Sequence, residues 1–216
     1  HRLLSETRYQ AFDGNHAVCK PQTARFVYDE RGHLRFETTP DGVVTEHRYD
    51  ANGCRTSSRR YLQDQPVISL IEYRYDTRGC LSEEIHYTQI DATGAGILTA
   101  DTQHTYSRYD ASMRLVEQSS LTPSGLSTTH FMYDDLGRLI QTIDNQHHTQ
   151  TIDYDDLHQR IVKTDANGLQ TVSILDKNGR LLSMHRLDAT HDYGTITYRY
   201  DEAGRLVSET DAAGKT

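Results

Sequence analysis

Eight copies of one motif recur along this chain, in which Tyr, or in one copy Leu, is followed by Asp, usually with Gly three residues after the Asp and often Leu two further on. The clearest copies are Tyr28-Asp29 with Gly32 and Leu34, Tyr75-Asp76 with Gly79 and Leu81, Tyr133-Asp134 with Gly137 and Leu139, and Tyr200-Asp201 with Gly204 and Leu206. Weaker copies begin at Tyr49, Tyr109, Tyr154 and Leu175. Successive copies are 21, 26, 34, 24, 21, 21 and 25 residues apart, so 21 is the minimal unit and larger intervals are insertions. A period near 20 residues marks one small supersecondary unit stacked on itself. Function is then expected in the assembled surface or enclosure, and a catalytic centre inside the segment is disfavoured.

The unit reads as a hairpin. In Asp-x-x-Gly the Asp side chain can bond its own backbone and Gly can take positive φ, the demands of a type I turn closed by a glycine bulge. A second signal falls about halfway round the unit, as Asp144-Asn145, Asp165-Ala166-Asn167-Gly168 and Asp211-Ala212-Ala213-Gly214, with Pro40-Asp41-Gly42 as a variant. Two turns of about four residues leave roughly 13 for two strands, near the common length of 5–6 residues. Alternation along the strand entering each Tyr groups Ile71, Tyr73 and Tyr75, Phe131 with Tyr133, and Ile196 with Tyr198 and Tyr200, while Arg74, Thr197 and Arg199 point the other way. After the Gly, Leu34 groups by parity with Phe36, Leu81 with Ile85 and Leu139 with Ile143. Strict period two predicts antiparallel strands, one face carrying the Tyr and Leu ladders and the other polar. No useful 3.6-residue period appears, so almost no helix is expected.

The fold class is therefore all-β: residues 1–216 as one repeat segment of about eight hairpins, with no second domain. About 16 strands at ~4.8 Å would span ~77 Å, and open sheets seldom exceed about ten strands without curling, so a long, twisted, curved wall is expected. The 34-residue interval holds an extra stretch from Ile85 to Tyr106 with an Asp91-Ala92-Thr93-Gly94 turn, read as a hairpin extended beyond its neighbours. The Asp188 to Gly194 segment is a second extension. Such decorations are where partner contacts concentrate.

Composition agrees with a thin sheet. Hydrophobic residues are 35% of the chain and Trp is absent, yet 14 Tyr and 4 Phe distinguish it from a disordered chain. A net charge of -8 with interspersed signs supplies no basic stripe for phosphates, which argues against nucleic-acid partners. No run approaches the ~20 apolar residues of a membrane helix, and His1 to Glu6 has no signal-peptide character. The absence of an initiator Met reads as a fragment of a larger protein. Cys19, Cys54 and Cys80 form an odd set without CxxC spacing, against a disulfide framework or zinc site. Cys54 and Cys80 occupy equivalent places two strand spacings apart, about 9.6 Å, beyond the ~7 Å a disulfide tolerates. Free thiols are expected.

Tyr-Asp-x-x-Gly-Arg-Leu, as at Tyr133 to Leu139 and Tyr200 to Leu206, with Asp-x-x-Gly-x-Thr downstream, resembles the tyrosine-aspartate repeat of the Rhs family across nearly the whole chain. That family includes bacterial Rhs polymorphic toxins, the B and C components of insecticidal toxin complexes and, more distantly, the animal teneurins. The resemblance implies a β-sheet spiralling into a hollow shell, which in bacterial members encloses a toxic C-terminal domain. The partners it implies are the remaining repeats of the parent shell, the enclosed domain and other toxin-complex subunits, in a secreted parent protein. Cys-rich epidermal-growth-factor-like modules are absent, which favours the bacterial side. The family's self-cleaving C-terminal core has no counterpart, so no cleavage activity is assigned. Several copies depart from the pattern: Arg55 follows Gly53-Cys54, Met113 and His158 stand where Gly belongs, and Leu175 replaces Tyr. A different turn is expected where Gly is missing, because non-Gly residues enter positive φ only at a cost.

Other chemistry finds little support. His147-His148 with His158 invites a metal reading, but adjacent strand residues point to opposite faces. The Asp-x-x-Gly turns match neither the EF-hand nor the glycine-rich calcium roll. Thirty-one acidic residues allow a glycosidase pair without marking one out, and no nucleophile elbow or phosphate loop is present. No catalytic, cofactor or metal residue is assigned. The reading is a non-catalytic structural segment of a secreted toxin shell, with recognition of carbohydrate or a receptor through extended hairpins as the alternative, since exposed Tyr faces suit sugars.

Overall fold

The computed structural model describes residues 3–8 and 22–215; Cys19 lies outside them. Every regular element among the described residues is a strand. The first are β1 (Ser5–Arg8), β2 (Gln22–Tyr28), β3 (Leu34–Thr38), β4 (Val43–Tyr49), β5 (Arg55–Leu62), β6 (Val67–Tyr75) and β7 (Leu81–Tyr87). Then come β8 (Gln89–Ile90), β9 (Gly96–Ile97), β10 (Gln103–Tyr109), β11 (Leu115–Thr122), β12 (Gly125–Tyr133) and β13 (Leu139–Ile143). The chain continues through β14 (Thr149–Asp155), β15 (Arg160–Thr164), β16 (Gln170–Leu175), β17 (Leu181–Leu187), β18 (Asp192–Tyr200) and β19 (Leu206–Thr210). Among the described residues, seventeen strands belong to an antiparallel sheet, and β8 and β9 form a separate pair.

Two compact units divide the chain: His1–Tyr109 with Gln118–Leu126, and Asp110–Glu117 with Ser127–Thr216. In the first, pairing follows chain order from β1 to β7 and then joins β7 to β10. In the second, it follows chain order from β12 to β19. Alternation is visible in exposure. Along β18, Ile196, Tyr198 and Tyr200 are half-buried while Thr197 and Arg199 are exposed.

The repeat turns close as their chemistry requires. Gly32, Gly79, Gly137 and Gly204 take φ of 96°, 82°, 79° and 81°. At each of these turns the register shifts by one residue beside the repeat Tyr, as between Val27 and Tyr28 or Arg199 and Tyr200. That is the glycine bulge of a type I hairpin.

The expected division into one apolar and one polar face needs correction in both units, because Phe36 pairs with Val27 and Ile143 with His130, on the faces opposite Tyr28 and Tyr133. Cross-strand partners share a face, and the register pairs Tyr73 with Glu84 but Glu72 with Ile85 and Leu70 with Tyr87. Leu70 and Ile85, each 1% exposed, therefore lie on the face opposite Tyr73. The segment from Thr88 to Thr102 explains their burial. Instead of projecting, it folds back over that face, with Gly94 against Val67 and Arg59 and Gly96 against the Tyr87 ring. Thr102 is buried and its hydroxyl accepts the Thr99 amide at 2.9 Å. Tyr87 is anchored in turn by its hydroxyl, which donates to Glu72 at 3.0 Å.

A Cβ on Gly96 would enter the Tyr87 ring. Gly96→Ala is expected to lower stability by about 1–3 kcal/mol, the cost of overpacking a filled contact, and to expose residues 88–102 to protease. Urea unfolding and limited proteolysis check this, and an unchanged cleavage pattern would contradict the covering role.

Candidate functional site

The recurrent polar constellation of the chain is its turn, built around one carboxylate. Asp110 Oδ1 accepts the amides of Ser112 and Arg114, both at 2.9 Å. Asp50, Asp76 and Asp176 hold the corresponding pairs in their own turns. Asp29, Asp134 and Asp201 accept the amide four residues on, from His33, Arg138 and Arg205. The halfway turns use the same cap at Asp144, Asp165 and Asp211. These amides would otherwise point into the turn without a partner.

The second carboxylate oxygen recruits the residue after the fourth turn position. Arg114, Arg138, Arg180 and Arg205 donate Nε to Oδ2 of their own turn Asp at 2.6–2.8 Å. His33 and His148 place Nδ1 there instead. The guanidinium then lies over the Tyr of the following repeat: Arg114 over Tyr133 at 5.0 Å, Arg138 over Tyr154 at 4.2 Å and Arg180 over Tyr200 at 4.9 Å. The His33 ring stacks on Tyr49 at 4.8 Å. Each such contact is a cation–π or stacking bond between neighbouring hairpins.

The Tyr completes the joint from its other end. Its hydroxyl donates to the carbonyl that opens the return strand of the preceding repeat: Tyr49 to Leu34 (2.9 Å), Tyr75 to Arg55 (2.9 Å), Tyr109 to Leu81 (3.0 Å), Tyr133 to Leu115 (2.8 Å) and Tyr200 to Leu181 (3.0 Å). The predicted Tyr, Asp and Gly positions thus meet in one cassette per turn. Leu34, Leu81 and Leu139 are half-buried beside it, whereas Leu206, on the terminal strand β19, is 52% exposed. The Tyr-Asp-x-x-Gly pattern alone gives these arginines no role. Their recurrence four residues after the Asp was the available signal.

The departures sort into two kinds. Met113 takes φ of 61° and keeps the capped turn, contrary to the expected change of turn. At Asp155 the turn does change. Asp155 pairs with Arg160 without a register shift, and the carboxylate holds the His158 amide and Nδ1. His148 is likewise held by Asp144, and no cluster among the described residues could hold a metal ion. Cys54 and Cys80 are free.

One arrangement that sequence reading missed mimics a nucleophile and its base. His47 Nδ1 is 3.0 Å from Ser58 Oγ, which is 3.4 Å from the Tyr73 hydroxyl. His47 and Ser58 are only 7% and 9% exposed, and burial, then the nearby Arg55 charge, lowers the His47 pKa. The three groups satisfy one another within the tyrosine-bearing face.

Residues 176–216 match the family model described as RHS Repeat. That segment is similar to an RHS repeat. No curated protein matches the sequence. Among solved structures, TcdB2-TccC3-TEV superposes with a TM-score of 0.58 at 15% identity over 88% of this chain and 11% of the other. The Photorhabdus luminescens Tc holotoxin pore with the TccC3-D651A mutation gives 0.56 at 16% identity, over 96% and 12%. TcdB2-TccC3 without its hypervariable C-terminal region gives 0.55 at 12% identity, over 97% and 15%. These likenesses establish the fold, and the chain spans a small fraction of each of those proteins.

Two outcomes follow from the cassette. Tyr133→Phe removes the bond to the Leu115 carbonyl and is expected to cost about 0.5–1.5 kcal/mol in urea unfolding, with the strand content by circular dichroism unchanged. Acid should weaken the fold through the caps. The amides of Arg114, Arg138 and Arg180, then the side chains of those arginines, hold Asp110, Asp134 and Asp176 below the ordinary carboxylate pKa. Depressed folded values mean stability that is present above the unfolded carboxylate pKa, about 4, and lost as pH falls through the folded values. The melting temperature should therefore drop progressively below pH 4. A flat profile between pH 5 and 3 would contradict the caps.

Proposed function

We propose that the chain is a non-catalytic structural segment of a secreted bacterial toxin shell, one that encloses or supports a C-terminal toxic cargo. The observation that carries this reading is the use of polar groups. Turn carboxylates hold their own amides and the neighbouring arginine, repeat tyrosines hold the preceding hairpin, and the His47–Ser58 pair is buried. Such a wall acts sterically. The RHS repeat and the fold likeness to Tc toxin components support the same role. Partners under this reading are further repeats of the parent shell, the enclosed domain and other toxin-complex subunits. The long Ile85 to Tyr106 stretch belongs to the wall too, because it covers Leu70 and Ile85.

Protease protection tests the role. In the protein that carries this segment, the cargo domain should survive added protease, and deleting residues 1–216 should leave it open to digestion. Equal digestion of the cargo with and without the segment would overturn the reading.

A further inference from the structure

The repeat joint is missing between the Asp155 turn and Leu175. In the joint before it Arg138 lies over Tyr154 at 4.2 Å, and in the joint after it Arg180 lies over Tyr200 at 4.9 Å. Between them Gln159 stands in the arginine position and Leu175 in the tyrosine position, so both the guanidinium and the ring are lost. The backbone continues regardless. The Leu175 amide donates to the Gln159 carbonyl at 2.9 Å, and β15 and β16 stay paired from Arg160 with Ile174 to Thr164 with Gln170. The lost side-chain volume is not made up. A cavity of about 350 Å³ stands at this place, with Tyr154, Ile161 and Leu175 as its apolar wall, within the size range of small-ligand sites, about 300–1,000 Å³.

The polar groups around the cavity are unequally engaged. Asp156 accepts from Arg138 at 2.6 Å, Asp176 accepts from Arg180 Nε at 2.6 Å, and Asp155 holds His158 Nδ1 at 2.7 Å. Arg160 and Lys177 line the same cavity, and neither makes a side-chain hydrogen bond or ion pair among the described residues. His158 bonding is the main cause of the lowered Asp155 pKa and the Arg160 charge the least. The cavity therefore offers free cationic donors beside an apolar wall, while its carboxylates are taken. An aromatic carboxylate suits this set. Its ring can occupy the volume of the absent tyrosine, and its oxygens can accept from Arg160 and Lys177. A bare anion would leave the apolar wall unused, and a neutral ring would leave the donors unpaired.

We propose that the vacant joint between the Asp155 turn and Leu175 binds a small aromatic carboxylate, with the ring in the place of the missing tyrosine. The inference does not rest on the shell role, because it concerns binding to this chain without any cargo.

Ligand-observed nuclear magnetic resonance with hydroxyphenylpropionate tests it on the full chain. A ligand of this size should saturate in the millimolar range. Its carboxamide should bind about fivefold or more weakly, the scale of a partly exposed ion pair. Leu175→Tyr fills the cavity from within and should abolish binding without lowering the melting temperature. Replacing both cations, Arg160→Gln with Lys177→Gln, removes no existing hydrogen bond or ion pair of these side chains. That variant should weaken the acid by a similar factor, and it decides the matter should Leu175→Tyr disturb folding. Absence of saturable binding up to about 20 mM, binding unchanged by Leu175→Tyr or by the double replacement, or equal affinity for the acid and its carboxamide would overturn the assignment.

Discussion

One aspartate in each repeat turn holds the rim of this sheet, because a type I turn with a glycine bulge leaves amides at its third and fifth residues facing inward. Asp Oδ1 accepts them, as Asp110 does from Ser112 and Arg114. Oδ2 is then free to fix the arginine that follows the turn, and the arginine lies on the next repeat's tyrosine. That tyrosine reaches back to the carbonyl of the preceding repeat. Each link is modest, since exposed ion pairs contribute about 0–1 kcal/mol. Their recurrence binds most hairpins to their neighbours, the nearest-neighbour energetics of repeat proteins. A thin sheet of 35% hydrophobic residues depends on such joints more than a domain with a deep core does.

The departures have the same logic. Met113 keeps its cap and the arginine beyond it, so the joint to Tyr133 survives the loss of glycine. In the Asp155 turn the fourth residue after the Asp is Gln159, with no arginine to offer, and the next repeat position is Leu175 in place of Tyr. Two irregularities that look independent in the sequence coincide at one missing joint. Where the first unit needs more burial, a loop supplies it. Residues 88–102 close over Leu70 and Ile85, and Gly96 allows that loop to meet the Tyr87 ring.

Much of the fold was legible because turn chemistry is local. Asp-x-x-Gly encodes its hairpin within five residues, and the positive φ of Gly32, Gly79, Gly137 and Gly204 follows from steric rules alone. The arginines were less legible, because their function depends on a ring about 20 residues away. The faces misled for a related reason. Parity counting assumes an uninterrupted strand, and each glycine bulge displaces the register by one, so Ile85 shares a face with Glu72 and not with Tyr73. Tyr193 shows the same effect between β17 and β18, where a bulge lifts it out of the ladder.

The sequence by itself determined an all-β chain of repeated antiparallel hairpins, the residues that close them, and the likeness of residues 176–216 to an RHS repeat. Tertiary structure alone decided which arginine meets which tyrosine, and that the longest insertion folds over the sheet. The physical reason is range. Backbone sterics and carboxylate capping act within a turn, whereas stacking, covering and bulge-shifted faces depend on register between strands that only the assembled sheet defines.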